Sequence, residues 1–178
     1  MSENAIRLFV VMGVSGCGKS SIGEALAKAF DATYFEGDSL HPSANIELMS
    51  KGIPLTDKDR WPWLEQIAQA MAAQDGLVFT GCSALRKSYR SFLIEKAQEP
   101  IFFIHLAGSK DLIASRMRER EGHFMSLGLL ESQFATLEPP DTSETALTVD
   151  ISASKDQILE TIVSVIGRDS RVAVEIPE

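Results

Sequence analysis

The chain has 178 residues, 44% hydrophobic and 24% charged, which is typical of a globular protein large enough to bury a core. Asp and Glu outnumber Lys and Arg by 25 to 17, and the net charge of −8 argues against binding nucleic acid or an anionic membrane. The two cysteines are too few for a disulfide scaffold, and no signal-peptide or membrane-spanning pattern is present. We expect a reduced, cytoplasmic protein with a single domain over residues 1–178.

Short apolar runs alternate with segments of helical periodicity along the whole sequence. The predicted strands are 6–12, 33–35, 77–80, 101–106 and 147–151. The predicted helices are 20–30, 41–51, 57–74, 85–97, 111–120, 127–137 and 155–166. This alternation predicts an α/β fold with a five-stranded parallel sheet and helices on both faces. The tail, 169–178, has a weak strand pattern and is left open as an edge strand, a subunit contact or a frayed end.

A glycine-rich segment follows the first predicted strand and fits the pattern G-x-x-x-x-G-K-[ST]. Its glycines allow backbone N–H groups to surround phosphate oxygens, and the following helix adds its positive end. Lys19 is expected to reach the β- and γ-phosphates of a nucleotide, and Ser20 to ligate Mg²⁺. The predicted phosphate-binding residues are Gly13, Val14, Ser15, Gly16, Cys17, Gly18, Lys19, Ser20 and Ser21.

Cys17 lies inside this loop and has two interpretations. The first is a small filler residue whose backbone N–H binds phosphate, and this is the one we favour. The alternative is a thiol whose oxidation inactivates the protein.

Acidic residues follow the second predicted strand and not the third. Many phosphate-loop proteins have an Asp at the end of an apolar strand, but the strand 77–80 ends in Gly81. Glu36 and Asp38 are two residues apart, so their side chains share one side of an extended segment. One could support a Mg²⁺ shell, and the other could deprotonate an acceptor hydroxyl. The open alternative is a solvated turn with two acids.

Basic residues are concentrated in residues 81–125, with eight Lys and Arg against five Asp and Glu. Arg116 and Arg120 are four residues apart and share a helix face, which suits a lid over a nucleotide. We place this lid at about 116–137. A second basic group, able to receive an anionic acceptor, consists of Arg60, Arg86, Lys87 and Arg90. We expect two anionic substrates to meet in this positive part of the chain.

The three histidines lack the spacing of a metal site. His105 lies in an apolar strand and is interpreted as a core residue with satisfied hydrogen bonds. His41 follows the acidic turn and is predicted to help shape the acceptor site.

Several blocks in order resemble the small phosphate-loop gluconate kinases, relatives of shikimate and adenylate kinases. The likeness runs from Phe9 to about Ile166 and is carried by segments 13–20, 36–45, 52–64, 82–90 and 122–139. Glu36 is a departure, because related kinases often have Asp there. The resemblance implies a three-layer kinase fold with a mobile lid, and transfer of phosphate from ATP to the 6-hydroxyl of D-gluconate with Mg²⁺. It also implies a homodimer.

The resemblance implies a role for single residues as well. Asp38 is placed at the acceptor hydroxyl, Arg60 in the acceptor pocket, Arg116 on the adenine and Arg120 at the phosphates. The resulting catalytic set is Lys19, Asp38 and Arg120, and the metal set is Ser20 and Glu36. The acceptor set is Asp38, His41, Arg60, Arg86, Lys87, Arg90 and His123.

Two alternatives remain open. The first is a kinase for another small acid, such as shikimate or a different aldonate. The second is a module that hydrolyses ATP slowly in order to regulate a partner protein.

Overall fold

The computed structural model describes residues 5–119 and 127–173 of the chain. Five parallel strands form one sheet in the order β2-β3-β1-β4-β5. They are β1 (Leu8–Met12), β2 (Thr33–Glu36), β3 (Val78–Gly81), β4 (Ile101–Ala107) and β5 (Ala146–Asp150). The strand β1 is central, so the segment that follows it emerges at the middle of the sheet.

Six helices connect successive strands among the described residues, and a seventh follows β5. They are α1 (Lys19–Ala29), α2 (Ser43–Ser50), α3 (Asp57–Ala72), α4 (Lys87–Ala97), α5 (Lys110–Glu119), α6 (Leu127–Thr136) and α7 (Lys155–Arg168). A 3₁₀ turn, Gly37–Leu40, separates β2 from α2. Within the described ranges, no helix is long and apolar enough to cross a membrane.

The apolar core lies in two layers, one on each face of the sheet. Alternate side chains of β1, such as Phe9 and Val11, pack with α1, α5 and α7 on one face. The others, Leu8, Val10 and Met12, pack with α3 and α4 on the opposite face. Because both faces of the strand are covered, all five of its residues are buried. The three-layer α/β fold predicted from the sequence is confirmed.

The predicted helix 41–51 is wrong at its beginning. His41 has extended backbone angles, φ −60° and ψ 133°, and α2 starts only at Ser43. A residue before proline is disfavoured in the helical region, since the proline ring crowds its backbone. Pro42 therefore keeps His41 out of the helix and directs it towards α3.

The predicted helix at 85–97 also begins late. Ala84 has a positive φ of 42°, and α4 starts at Lys87. The segment 82–86 is therefore a loop at the carboxyl end of β3.

The tail is described up to residue 173. Val172 forms a single parallel bridge with Ile6, and both side chains are buried. Of the three interpretations, an edge strand, a subunit contact or a frayed end, the described part of the tail is most similar to an edge strand, because it pairs with Ile6 near the N-terminus. Residues 174–178 lie outside the described residues.

His105 differs from the expectation of a satisfied core residue. It lies in β4 opposite Met12 and is 3% exposed. Its Nδ1 has no hydrogen-bond partner within the part of the chain that the structure describes. Burial, and secondarily the charge of Arg90, lowers the pKa of His105 to about 4. The imidazole is therefore neutral at neutral pH.

We predict that His105 makes the fold sensitive to mild acid. Between pH 6.5 and about 4 the unfolded chain binds a proton at this residue that the folded chain does not. Stability should therefore fall as the pH drops through this window, by on the order of 2 kcal/mol for this group. Urea unfolding of wild type and His105→Leu at pH 7 and pH 4.5 measures the effect, and equal pH slopes for the two proteins would contradict it.

Candidate active site

The loop between β1 and α1 has the backbone geometry that a phosphate cradle requires. Gly13, Gly16 and Gly18 have positive φ values of 145°, 81° and 99°. Such angles strain residues with a side chain, and they let successive N–H groups point to one side. A Cβ on Gly16 would lie 2.6 Å from the side chain of Met117, so α5 supports the loop from below.

Cys17 fills space within this loop. Its side chain is buried, and a Cβ on Gly13 would lie 2.7 Å from its sulfur. This packing favours the interpretation of Cys17 as a filler over that of an accessible thiol.

Lys19 begins α1, and its ammonium folds back over the cradle. The Nζ atom donates hydrogen bonds to the carbonyl oxygens of Gly13 and Val14, at 3.1 and 3.0 Å. Ser20 and Ser21 follow on the first turn of the helix. The cation thus lies beside the N–H groups that would receive phosphate oxygens.

Ser20 and Glu36 form a pair of oxygen donors next to this lysine. The Ser20 hydroxyl donates to Glu36 Oε2 at 2.6 Å, and the Tyr34 hydroxyl donates to the same oxygen at 2.9 Å. Burial and the bond to Glu36 raise the pKa of Tyr34 above its ordinary value, so it remains a donor. A hydroxyl and a carboxylate suit Mg²⁺, which prefers oxygen ligands and keeps several waters.

Gly81 explains why the third strand ends without an acid. A Cβ at Gly81 would lie 3.0 Å from Glu36 Oε1 and 3.2 Å from the Tyr34 hydroxyl. These residues are adjacent because Glu36 pairs with Gly81 in the sheet. The carboxylate of β2 therefore occupies the space that a side chain at the end of β3 would need.

Asp38 lies in the 3₁₀ turn, with 66% of its side chain exposed. One carboxylate oxygen is 3.7 Å from Nε2 of His41. The His41 ring is buried and stacks on Trp63, with ring centres 3.9 Å apart. Burial lowers the pKa of His41, and the nearby charge of Arg60 lowers it further. The charge of Asp38 raises this pKa but does not reverse the shift.

Arg60 projects from α3 and is held by two partners. Its Nη1 donates to the Tyr89 hydroxyl at 2.9 Å, and it lies 3.7 Å from a carboxylate oxygen of Asp57. The Tyr89 hydroxyl in turn donates to Asp57. These contacts order the guanidinium while leaving N–H groups for a ligand.

One cavity joins the cradle to these acceptor residues. Apolar side chains of α2, α3, the loops and α6 form part of its wall. Its lining residues are Ser15, Lys19, Asp38, His41, Met49, Pro54, Leu55, Arg60, Trp63, Ser83, Leu85, Leu129, Ser132 and Gln133. A phosphate donor and a polar acceptor could therefore meet in the same space.

Three basic residues predicted for the acceptor site are elsewhere. Arg86 is exposed at the start of α4, and Lys87 pairs with Asp141 at 2.8 Å on the surface. Arg90 is 1% exposed and is bound by Glu144 at 2.6 Å and by the carbonyl oxygen of Ala84 at 2.9 Å. None of the three lines the cavity, so we do not retain them as acceptor ligands.

The lid residues are described only in part. Arg116 lies on α5 and donates to the carbonyl oxygen of Ile151 at 2.7 Å, just after β5. It therefore lies at the carboxyl edge of the sheet, and its predicted contact with adenine stays a prediction. Arg120 and His123 lie outside the described residues.

The sequence analysis missed the contribution of α6. Gln133 Oε1 accepts a hydrogen bond from the backbone N–H of Ser15 at 2.6 Å, and Ser132 and Leu129 also line the cavity. The signal available in the sequence is the run of polar residues Glu131-Ser132-Gln133 in the middle of a helix that begins with apolar residues. This run lies within segment 122–139, one of the blocks that carry the resemblance.

The fold and this site define a phosphate-loop kinase. The family model described as Shikimate kinase matches residues 15–166. A gluconokinase from Gluconobacter oxydans is 45% identical over 161 residues, covering 88% of this chain and 89% of the relative. The thermoresistant gluconokinase of Escherichia coli is 40% identical, over 90% of this chain and 94% of the relative.

A solved structure agrees with these relatives. The gluconokinase from Sinorhizobium meliloti has a TM-score of 0.85 at 44% identity, covering 93% of this chain and 94% of that one. The chain belongs to the gluconokinase family, within the shikimate kinase group of phosphate-loop domains. The resemblance found in the sequence is confirmed.

We predict that Arg90 serves stability and not acceptor binding. Burial raises the pKa of Glu144, but the hydrogen bonds from Arg90 and from the backbone N–H of Asp141, together with the charge of Arg90, hold that pKa below its ordinary value. Glu144→Gln removes the counter-charge of a buried guanidinium and should cost about 3–5 kcal/mol. Lys87→Met, at the exposed pair with Asp141, should cost much less, because solvent screens that pair.

Denaturant unfolding of both variants measures these costs. The KM for the phosphoryl acceptor should stay unchanged in folded Glu144→Gln. A large rise in that KM with little loss of stability would return Arg90 to the acceptor site.

Proposed function

We propose that this protein transfers the γ-phosphoryl group of ATP to the 6-hydroxyl of D-gluconate, giving ADP and 6-phospho-D-gluconate. The observation that carries the proposal is that Lys19 of the cradle lines the same cavity as Asp38 and Arg60 of the acceptor wall. Relatives named gluconokinase, at 40–45% identity over most of the chain, support gluconate as the acceptor.

Asp38 is the proposed general base. Its carboxylate lines the cavity and is largely exposed, so it can approach a hydroxyl. It would accept the proton of the 6-hydroxyl as the oxygen attacks the phosphorus. Phosphoryl transfer needs mainly positioning and charge stabilisation, so one base and a few cations suffice.

The cations and oxygen donors around the cradle supply the remaining charge stabilisation. Lys19 would leave the carbonyl oxygens of Gly13 and Val14 to contact phosphate oxygens. Ser20 and Glu36 would hold Mg²⁺, directly or through water, and the ion would neutralise charge on the phosphates. Arg120 is proposed to do the same from the lid, and Arg116 to contact the adenine.

Arg60 is the proposed ligand of the gluconate carboxylate. It is the cation on the acceptor side of the described cavity wall, and its planar guanidinium suits a carboxylate. Arg60 would bind the carboxylate at one end of gluconate, and Asp38 would bind the 6-hydroxyl at the other. The hydroxyl groups between these two ends would thereby be oriented. We further propose that the protein acts in the cytoplasm as a homodimer with one domain per subunit.

An acceptor panel tests this function. ADP release with ATP and Mg²⁺ is measured with gluconate, other aldonates and shikimate, and gluconate should give the highest kcat/KM. A preference for another acid would assign the other kinase, whereas ATP hydrolysis that no small acceptor stimulates would favour a regulatory module.

We predict that Asp38→Asn lowers kcat by about 10²–10⁴-fold, because the amide cannot accept the proton. ATP binding should persist, since Asp38 is not part of the cradle. Steady-state kinetics and nucleotide titration measure the two effects. Near-normal turnover in this variant would remove Asp38 as the base.

We predict that Arg60→Ala raises the KM for gluconate by about tenfold or more, with a smaller effect on the KM for ATP. Lys58→Ala is the matched control, because it removes an exposed positive charge from the same helix two residues away. An unchanged KM in Arg60→Ala, or an equal rise in the control, would take Arg60 out of the pocket.

A further inference from the structure

Asn45 is a buried polar side chain in contact with the acceptor site but outside it. It lies on α2 and is 4% exposed. Its amide nitrogen is 3.0 Å from the carbonyl oxygen of Asp59 and 3.3 Å from Nδ1 of His41. One amide group therefore links the start of α3 to the histidine that faces Asp38.

The contact with Asp59 determines whether the nitrogen or the oxygen of the Asn45 amide faces α3 and His41. A backbone carbonyl oxygen only accepts hydrogen bonds, so the atom facing it must be the Asn45 nitrogen and not its oxygen. That nitrogen carries two N–H groups. One is directed at Asp59, and the other is directed at Nδ1 of His41.

This geometry selects one tautomer of His41. An amide N–H can only donate, so Nδ1 must accept and cannot itself carry a proton. The neutral ring then holds its proton on Nε2. Nε2 is the atom 3.7 Å from the Asp38 carboxylate, on a ring that lines the cavity.

The ring is also held in its plane. His41 stacks on Trp63 at an interplanar angle of 14°, and the Trp63 indole N–H donates to the carbonyl oxygen of Gly37 at 2.9 Å. A ring turned out of this plane would lose the stacking, and a ring flipped by 180° within it would lose the bond from Asn45. Protonation on both nitrogens would set an N–H against the amide N–H group.

We propose that Asn45 is a positioning residue that holds His41 as a neutral donor, with its Nε2–H directed at Asp38 and the acceptor cavity. This inference rests on the proposed function. The distance of 3.7 Å exceeds a direct hydrogen bond, so the donor is available to a carboxylate oxygen or to an oxygen of the acceptor. A neutral donor would orient Asp38 and leave its negative charge in place, whereas a cation would cancel that charge.

The first test reads the tautomer directly. Two-bond ¹H–¹⁵N correlation spectra of histidine-labelled protein at pH 7.5 distinguish the two neutral forms and the imidazolium, and His41→Gln assigns the signal. Wild type should show the Nε2–H tautomer at His41. The Nδ1–H tautomer, or a charged ring, would overturn the proposal whatever the variants do.

The second test removes the hydrogen bond between Asn45 and His41. Asn45→Leu should give a mixture of tautomers at His41 and lower kcat/KM for gluconate by about tenfold, with the KM for ATP unchanged. Asn45→Asp keeps the size but offers an acceptor, so it should move the proton to Nδ1 or charge the ring. If Asn45→Leu fails to fold, Asn45→Asp carries the test.

Ser50→Ala is the matched control on the same helix, because the Ser50 hydroxyl bonds only the carbonyl oxygen of Glu47 among the contacts described. It should leave both tautomer and kinetics unchanged. Unaltered tautomer and kinetics in folded Asn45 variants would overturn the role of Asn45. Failure of wild type to phosphorylate gluconate would refute the proposed function and not the tautomer.

Discussion

The site depends on the close approach of two backbone segments, the turn after β2 and the end of β3. A Cβ on Gly37 would lie 2.2 Å from the carbonyl oxygen of Gly81, so only glycine fits there. This contact places Glu36 over Gly81, beside Ser20, and starts the turn that carries Asp38. The metal-type oxygens and the proposed base are therefore positioned by one steric constraint.

The same turn organises the acceptor wall through polar contacts. The carbonyl oxygen of Gly37 receives the indole N–H of Trp63, and Trp63 in turn supports the ring of His41. Asn45 ties that ring to α3. Rigid helices and strands thus determine the direction of side chains that would otherwise lie on a flexible loop, which is the arrangement that positioning in catalysis requires.

The sequence predicted the strand alternation, the phosphate loop and the acids at Glu36 and Asp38, because these signals are local. It did not predict that His41 stays extended, although Pro42 offered the clue. It could not separate Arg60 from Arg90, since the two have the same chemistry. The difference is that Glu144, 54 residues further along the chain, binds Arg90 inside the protein. Such pairing is decided by the tertiary structure.

The positive charge of residues 81–125 does not have the role in the folded chain that the sequence suggests for it. The positive excess of residues 81–125 was expected to gather two anionic substrates. Three of its cations bind carboxylates of the acidic segment 126–178 instead, in the pairs Lys87–Asp141, Arg90–Glu144 and Lys110–Glu131, whereas Arg116 and Arg120 are proposed to bind ATP. The described cations of the cavity, Lys19 and Arg60, come from residues 1–80, where acids outnumber bases. A local excess of charge in a sequence therefore does not by itself locate a binding site, because the tertiary structure decides which of its cations are bound by distant carboxylates.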